Sequence, residues 1–301
     1  MSYRLELDEP PEDGIRRIAT EQADQALGDL RGEEEDLNEA VHDARKRFKK
    51  IRAVLRLVRK EVGEEHFKRE NACFRDAGRA LAEVRDDWVL TETLDDLRER
   101  YEDELSPGAF EGLRARLGER YDATARRVLV EEDRLEEVAV KVAAGRQRIQ
   151  DWPLDPGFRA LLPGLGKVYR RGRKRMEDAF EEGTFEAYHE WRKRVKYLWY
   201  HVRVLRHAWW DVMDGWADSV HDLSDLIGES NDLSELRIAL EEDPNLEAEE
   251  PERELLLALV DRRREELRES TRPLGQRIYR EKPGEFVARV RDYWEAAAGR
   301  A

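Results

Sequence analysis

Two stretches of eighteen residues hold the side chains best suited to chemistry, and they share one pattern. Residues 42–59 read HDARKRFKKIRAVLRLVR, and residues 189–206 read HEWRKRVKYLWYHVRVLR. Each stretch opens with a histidine, and seven histidine or basic positions match at a separation of 147 residues. Arginine grips phosphate oxygens with two parallel hydrogen bonds, and lysine adds a mobile point charge. The residue types therefore predict a site for a polyanion that carries phosphate groups.

The spacing places these cations on one side of a helix. At 100° per residue, the histidine and most lysines and arginines of residues 42–60 share one face, while apolar side chains such as Phe48 occupy the other. The second stretch divides in the same way, with Trp191 on its apolar face. A third segment, GKVYRRGRKR at 166–175, contains six cations and no anion. Cations that repeat every ~5–6 Å along a helix suit a linear polymer with closely spaced negative charges.

Two interpretations of the cationic helix faces that involve no ligand stay open. Most charged helix faces are simply solvated, but such faces usually mix signs, whereas residues 42–60 hold nine lysines and arginines against one acid, Asp43. Like charges one turn apart cost roughly 0.2–0.5 kcal/mol per pair, so a cost present in both stretches requires a compensating interaction. Acidic helices packed against the basic ones would compensate this repulsion. The cationic faces, which we call the stripes, would then form buried ion pairs within the protein.

An acid precedes each histidine by three residues, at Glu39 before His42 and at Glu186 before His189. Glu-x-x-His on paired helices is a ligand pattern of di-iron proteins, but the lysines farther along the same face disfavour a metal dication. The helix dipole also favours a glutamate in a first turn. The sequence thus predicts no metal and no other cofactor. Each histidine is either structural or a phosphate donor whose pKa a bound anion would raise.

Motifs for catalysis are scarce, and we expect binding without turnover. The chain has no P-loop and no GxSxG. An enzyme that processes polyphosphate with Mg²⁺ is an alternative, with Asp86, Asp87 and Asp232 as candidate carboxylates. A nucleic-acid-binding protein is a second alternative, because aromatic side chains at 197–200 could stack on bases, although such residues more often pack in a bundle. A scaffold that uses its stripes for subunit contacts is a third.

The whole chain is acidic, with a formal net charge of −14 over 301 residues. Forty per cent of its residues are hydrophobic, and eight are tryptophan, so the chain has enough apolar material for a core. The single cysteine, Cys73, excludes an intramolecular disulfide and fits a reducing compartment. The N-terminus has no apolar signal segment, and no run of 18 apolar residues occurs. We therefore expect a cytoplasmic protein with no membrane partner.

Helical periodicity dominates the chain and strand-like alternation is nearly absent, which predicts an all-α fold. The proline- and glycine-rich stretch DWPLDPGFRALLPGLG marks a boundary, so we predict two repeats, 1–150 and 151–301, each an antiparallel bundle. The repetition extends to Asp86 and Asp232, which match at a separation of 146. The predicted helices lie near 12–31, 35–62, 65–84, 86–104, 107–118, 119–148, 166–182, 184–209, 211–228, 231–242, 250–271, 274–281 and 284–298.

At the paired motifs the chain resembles the CHAD family, the conserved histidine α-helical domain. The resemblance rests on the two His-acid-x-Arg starts at His42 and His189, on GLGKVYRRGRKRM, on RDDWVL and NDLSEL, and on the ending GEFVARVRDYW. It extends from about residue 12 to residue 298. It implies two four-helix-type bundles related by a pseudo-twofold axis, with a basic groove or cavity between them. It also implies binding of inorganic polyphosphate and association with polyphosphate granules.

The helix faces and the resemblance together define the predicted polyphosphate-binding residues. The resemblance adds Lys50, and it shows one departure: Trp199 stands, opposite Arg52, where a second arginine is common in the family. That wall of the groove is expected to be less cationic, or the tryptophan serves packing. The predicted contacts are His42, Arg45, Lys46, Lys49, Lys50, Arg52, Arg56, Lys167, Arg170, Arg171, Arg173, Lys174, His189, Arg192, Lys193, Lys196 and Arg203.

Overall fold

The computed structural model describes residues 3–32, 36–246 and 250–299. Eleven α-helices and no β-strand occur in these ranges, so the predicted all-α class is confirmed. Among the described helices, none combines the length and apolarity needed to cross a bilayer. In chain order the helices are α1 (Pro11–Arg31), α2 (Leu37–Leu57), α3 (Arg59–Ala80), α4 (Ala82–Arg100), α5 (Glu111–Ala125), α6 (Arg134–Ile149), α7 (Leu162–Glu182), α8 (Phe185–Val204), α9 (Trp210–Glu242), α10 (Glu250–Ile278) and α11 (Pro283–Ala297).

The first basic stretch divides into two helices. α2 ends at Leu57, and Arg59 opens α3, in which Gly63 has a φ of 74° that interrupts the helix. Glycine adopts this left-handed conformation without a steric penalty. The predicted helix 35–62 is therefore two elements, and Arg59 and Lys60 do not continue the face of α2.

The predicted helix 119–148 is also interrupted. α5 runs on to Ala125 and is followed by a π-helical turn at Arg126–Glu131, where hydrogen bonds span five residues instead of four and the helix is locally wider. Asp133 then takes a left-handed φ of 47°, which stops the helical path before α6 begins.

The C-terminal half has longer helices than predicted. The break predicted at 229–230 is absent, because Gly228 is buried against the Arg192 side chain and this packing outweighs the low helix propensity of glycine. α10 likewise continues through Pro273, where the sequence predicts a break, and Gly275 beyond it is buried in the core.

Two buried clusters hold the helices together. The larger one joins α1, α2, α3, α6, α7, α8, α11 and the first part of α9, with Phe48 and Trp191 among its largest side chains. The second joins α4, α5, α10 and the rest of α9, around Leu94 and Leu236. Both clusters combine side chains from before and after residue 150. The division into 1–150 and 151–301, and the pseudo-twofold relation between the halves, stay predictions.

The apolar faces predicted for the two basic helices are buried. Phe48 and Ile51 on α2, and Trp191 and Leu198 on α8, are each at most 1% exposed. Burial of one such side chain stabilises the fold by about 1.5–3 kcal/mol. Because these faces are sequestered in the large core, the cationic faces of α2 and α8 lie away from it and are available for polar contacts.

Candidate functional site

The two basic helices begin with side-chain caps. Asp36 accepts a hydrogen bond from the backbone N–H of Asn38 at 2.8 Å and caps α2. The Thr184 hydroxyl accepts one from Ala187 N–H at 3.2 Å and caps α8. Such caps satisfy N–H groups that have no partner inside the helix. The two helices therefore start at comparable points relative to their leading histidines.

α2 and α8 contact each other directly. His201 on α8 is fully buried, and its Nε2 lies 2.8 Å from the carbonyl oxygen of Ala53 on α2. Burial lowers the pKa of His201 to about 4, so the ring is neutral near pH 7. Arg56 on α2 stacks on the ring of Tyr197 at 4.1 Å. These contacts hold the two cationic faces next to each other.

The central cluster consists of Arg45 and Lys49 on α2 and Arg192 and Lys196 on α8. Burial and the other three cations lower the pKa of Lys49 to about 7. Lys49 is nevertheless exposed to solvent, so its side chain lies in a surface depression beside the two helices and not in the core. Among the described residues, no carboxylate lies within 4.0 Å of the Lys49 amine. The helices thus hold like charges together at an energetic cost.

Two carboxylates face the central cluster at equivalent positions. Arg45 lies 3.6 Å from Asp86 of α4, and Arg192 lies 3.8 Å from Asp232 of α9. The sequence matches these same two aspartates with each other. Both distances exceed that of a hydrogen bond, and burial raises the pKa of each aspartate. The buried ion pairs considered from the sequence are therefore present only as loose pairs, and the two aspartates act on Lys49 only from beyond 4.0 Å.

Trp199, which departs from the family pattern, is packed and also supports cations. Its ring is 9% exposed and meets the edge of His221 at 4.2 Å between ring centres. The Lys196 ammonium lies 4.8 Å from the ring centre, and the Arg203 guanidinium lies 4.9 Å from it. The electron-rich face of the indole attracts both groups. The tryptophan therefore helps to place Lys196 in the central cluster.

A second group of cations surrounds a concave space at the start of α7, which we call the α7 recess. Five cationic side chains and no acidic side chain line it, and four helices supply them. The part of this space that a solvent molecule can occupy is small, about 20 Å³, and the surrounding empty volume of about 300 Å³ includes open solvent at its mouth. The lining residues are Arg56, Arg59, Lys167, Arg171 and Arg194, with Gly164 and Val168.

Gly164 lets α7 approach the end of α2 closely enough to form the recess. A Cβ at this position would lie 1.9 Å from the carbonyl oxygen of Leu57 and 2.6 Å from that of Arg56. These separations are far shorter than van der Waals contact, so no larger residue fits without moving a helix. The first turn of α7 and the last turn of α2 are therefore in backbone contact.

Several predicted residues have their own partners outside these two groups. Lys50 is 5% exposed, and its ammonium lies 5.3 Å from the ring of Tyr3. Burial and neighbouring cations lower the pKa of Lys50 to about 7. Arg203 also lies near Tyr3, with 5.6 Å from its guanidinium to the ring centre. Arg52 donates to Asn71 at 3.2 Å. These side chains pack against the protein and are not gathered with the central cluster.

Four further predicted lysines and arginines pair with acids on their own helices, whereas a fifth, Arg170, forms no such pair among the described residues. These pairs are Lys46 with Asp43, Lys193 with Glu190, Arg173 with Glu177, and Lys174 with Asp178. Arg170 is exposed. Exposed pairs of this kind contribute little stability and exchange readily, so they do not prevent ligand binding.

The leading histidines lie beside cations. Burial lowers the pKa of His42, and Arg85 lowers it further. Burial lowers the pKa of His189 as well, followed by Lys193 and Arg192. The Nδ1 atom of His189 is buried with no hydrogen-bond partner among the described residues. Both rings are therefore neutral near pH 7 unless an anion arrives. In the described part of the chain, no group of three or more His, Cys, Asp and Glu side chains is arranged to hold a metal.

Three cations near the site are absent from the sequence-based set. Arg59 and Arg194 line the α7 recess, and Arg85 lies near Lys49. A signal existed for Arg194, because it matches Arg47 in the repeat. The repeat also matches Arg59 with Arg206, but the placement of Arg59 in the recess depends on the break between α2 and α3.

Comparisons with known proteins agree with this architecture. The family model described as CHAD domain matches residues 17–241. The crystal structure of the CHAD domain from the plant Ricinus communis is similar to this chain with a TM-score of 0.63 and 17% sequence identity, over 91% of this chain and 94% of that chain. No curated protein matches the chain. At 17% identity, the structural likeness shows the fold alone.

Proposed function

Because this chain belongs to the CHAD domain family, we propose that it binds inorganic polyphosphate along α2, α7 and α8 without turning it over. The observation that carries the proposal is the central cluster. Lys49, Arg45, Arg192 and Lys196 are held together although burial, and after it the repulsion from the other three cations, lowers the pKa of Lys49 to about 7. Perturbed groups of this kind concentrate at functional sites. An anionic ligand in the depression would supply the missing opposite charge.

The extent of the cations favours a polymer over a single phosphate. Along α2, the stripe from His42 to Arg56 covers about 21 Å at 1.5 Å per residue. The central cluster lies in the middle of this path, and the α7 recess begins at Arg56. A chain of several phosphate units can contact both groups at once, so we propose that long chains bind more tightly than short ones.

The candidate base-stacking residues do not favour a nucleic acid as the ligand. Trp199 and Tyr200 are 9% and 2% exposed, and Tyr197 is covered by Arg56. Stacking of bases requires an accessible ring face. We therefore propose polyphosphate and not nucleic acid as the partner, and we extend the proposal to polyphosphate granules in the cytoplasm.

The candidate catalytic carboxylates have structural partners. Asp87 is buried and accepts hydrogen bonds from Arg120 at 2.8 Å and from Thr124 at 2.7 Å. Asp86 and Asp232 face Arg45 and Arg192. A Mg²⁺-dependent mechanism needs carboxylates free to hold the metal, and Asp87 is not free, which supports a protein that binds without catalysis.

Titration of the purified protein with long-chain polyphosphate, competed by RNA at two salt concentrations, tests the proposal. We expect tight binding that RNA does not displace and that weakens steeply with salt as counterions are released. Absence of binding at low salt would show that the protein's own acids satisfy the stripe. Incubation of the same sample with polyphosphate and Mg²⁺ should release no phosphate, and release above a buffer control would identify an enzyme.

A further inference from the structure

We propose that the α7 recess binds the terminal phosphate group of the polyphosphate chain and thereby orients the polymer on the protein. This inference rests on the proposed function and adds a position for one chemically distinct part of the ligand. It assigns the central cluster to the interior of the chain and the recess to its end.

The side chains of the recess have hydrogen-bond donors to spare. Lys167 and Arg171 have no carboxylate within 4.0 Å among the described residues. Burial lowers the pKa of each, and nearby cations that include Arg59 lower it further. Arg194 reaches Glu190 only at 3.3 Å, and its Nε is buried without a hydrogen-bond partner. Two acids reach the cations of the recess, because Glu64 pairs with Arg59 and acts on Lys167 and Glu190 pairs with Arg194. The five cations of the recess therefore exceed these acids in number.

Two arginines of the recess, Arg56 and Arg59, are held in place by contacts with groups that lie outside it. Arg59 pairs with Glu64 at 2.8 Å and stacks on Phe67 at 4.1 Å. Arg56 donates to the carbonyl oxygen of Arg52 at 2.7 Å. These contacts orient the guanidinium groups before a ligand arrives, which reduces the entropy lost on binding.

The shape of the recess favours a chain end. Its floor is closed where Gly164 of α7 touches the backbone at Leu57 of α2. An interior segment must enter and leave a site, whereas a terminal group needs only one opening. From Arg56, the path back to Lys49 covers about 10 Å along α2, so a chain anchored in the recess can reach the central cluster.

The charge of the recess also favours a chain end. A terminal phosphate has three free oxygens and a second ionisation near neutral pH, and it carries about −1.5 to −2 charges. Each interior unit keeps only one ionised oxygen. Arginine binds such oxygens in pairs, so several cations around one small space match the terminal group best.

The test compares two polyphosphate preparations of equal length, one with free ends and one with both terminal phosphates capped as phosphoramidates. We expect the wild-type protein to bind the capped chain at least tenfold more weakly. We expect the double variant Lys167→Gln/Arg171→Gln to bind both chains with the same, reduced affinity. The matched control Arg100→Gln/Arg126→Gln removes the same charge at exposed positions outside α2, α7 and α8 and should keep both the affinity and the discrimination.

Equal affinity of the wild-type protein for capped and free chains would overturn the inference while leaving polyphosphate binding intact. Discrimination that survives in Lys167→Gln/Arg171→Gln would overturn it too, because the end would then be recognised elsewhere. If the wild-type protein binds neither chain, the proposed function itself fails. Circular dichroism of each variant verifies that its helices are retained, and the wild-type comparison needs no variant.

Discussion

At the scale of single residues, Lys49 and Lys196 have the environments most directly tied to binding. Among the described residues, Lys49 has no carboxylate within 4.0 Å of its amine, and Lys196 lies between Asp225 at 3.8 Å and the face of Trp199. Neither side chain contributes to the apolar core. Changes at these positions should therefore alter the affinity for polyanions more than the stability of the fold.

Charge reversal of both lysines, Lys49→Glu/Lys196→Glu, should abolish polyphosphate binding and leave helicity intact. Each reversal replaces an attraction by a repulsion in a partly desolvated depression, where charges interact more strongly than in bulk water. Fluorescence titration and circular dichroism measure the two properties. The control Arg100→Glu/Arg126→Glu makes the same change in net charge at exposed positions away from α2 and α8, and it should bind nearly as the wild type does. Binding that survives the lysine reversal would show that the cationic faces of α2 and α8 are not the binding site.

The affinity for polyphosphate should fall as the pH rises above about 7. The pKa of Lys49 is about 7 in the free protein, and a bound polyanion favours the ammonium and raises this pKa. Binding therefore takes up protons, and the affinity should decrease roughly tenfold between about pH 7 and about pH 9. The lowered pKa values of His42 and His189 act in the same direction at lower pH, where a bound anion favours their protonated forms.

Calorimetry in buffers of different ionisation enthalpy measures this proton uptake. The variant Lys49→Arg is the control, because arginine stays charged over the whole range. Its affinity should be nearly independent of pH above about pH 7. A wild-type affinity that stays constant from about pH 7 to about pH 9 would show that Lys49 does not contact the ligand.

At the scale of helices, the site depends on how closely α7 packs on α2. Gly164 permits this contact, and the break at Val58 sends Arg59 to the recess instead of along the face of α2. The two leading stripes are read directly from helical periodicity. The recess is not, because it combines side chains from α2, α3, α7 and α8 whose mutual placement depends on the packing of four helices.

The substitution Gly164→Ala should destabilise the protein by roughly 1–3 kcal/mol, the usual cost of overpacking. The added Cβ would lie 1.9 Å from the Leu57 carbonyl oxygen, so α7 must move away and the recess must widen. Urea denaturation measures the stability, and titration of the folded variant should show weaker polyphosphate binding. The control Gly215→Ala in α9 adds a methyl group into open space and should stabilise the helix by about 0.5–1 kcal/mol. Equal stabilities of the two variants would show that α7 and α2 are not in tight contact.

At the scale of the whole molecule, the two halves of the sequence share both cores. Leu90 and Leu94 pack with Leu236 in one cluster, and Phe48 and Trp191 lie in the other. Removal of either half would expose apolar surface from both clusters. The repeated sequence therefore does not require two domains that fold separately.

A fragment that contains residues 1–150 alone should fail to form a stable fold, whereas the full chain should unfold in one cooperative transition. The reason is that Leu90, Leu94 and Leu97 lose their partners on α9 and α10 when the second half is removed. Thermal circular dichroism of both proteins measures this, with the mixture of 1–150 and 151–301 as a test of reassembly. A sharp transition in the isolated fragment would establish two independent domains at the predicted boundary.

The sequence by itself determined the helical class, the apolar and cationic faces of α2 and α8, and the family, because periodicity and charge are properties of neighbouring residues along one helix. It also matched Asp86 with Asp232, which the structure places beside equivalent arginines. Only the tertiary structure decided which cations face each other. It placed Lys50 against Tyr3, joined Arg59 and Arg194 in the recess, and left Lys49 with no carboxylate within 4.0 Å in the part of the chain that the structure describes. The physical reason is that charge compensation depends on distances between helices, and packing of the apolar faces sets those distances.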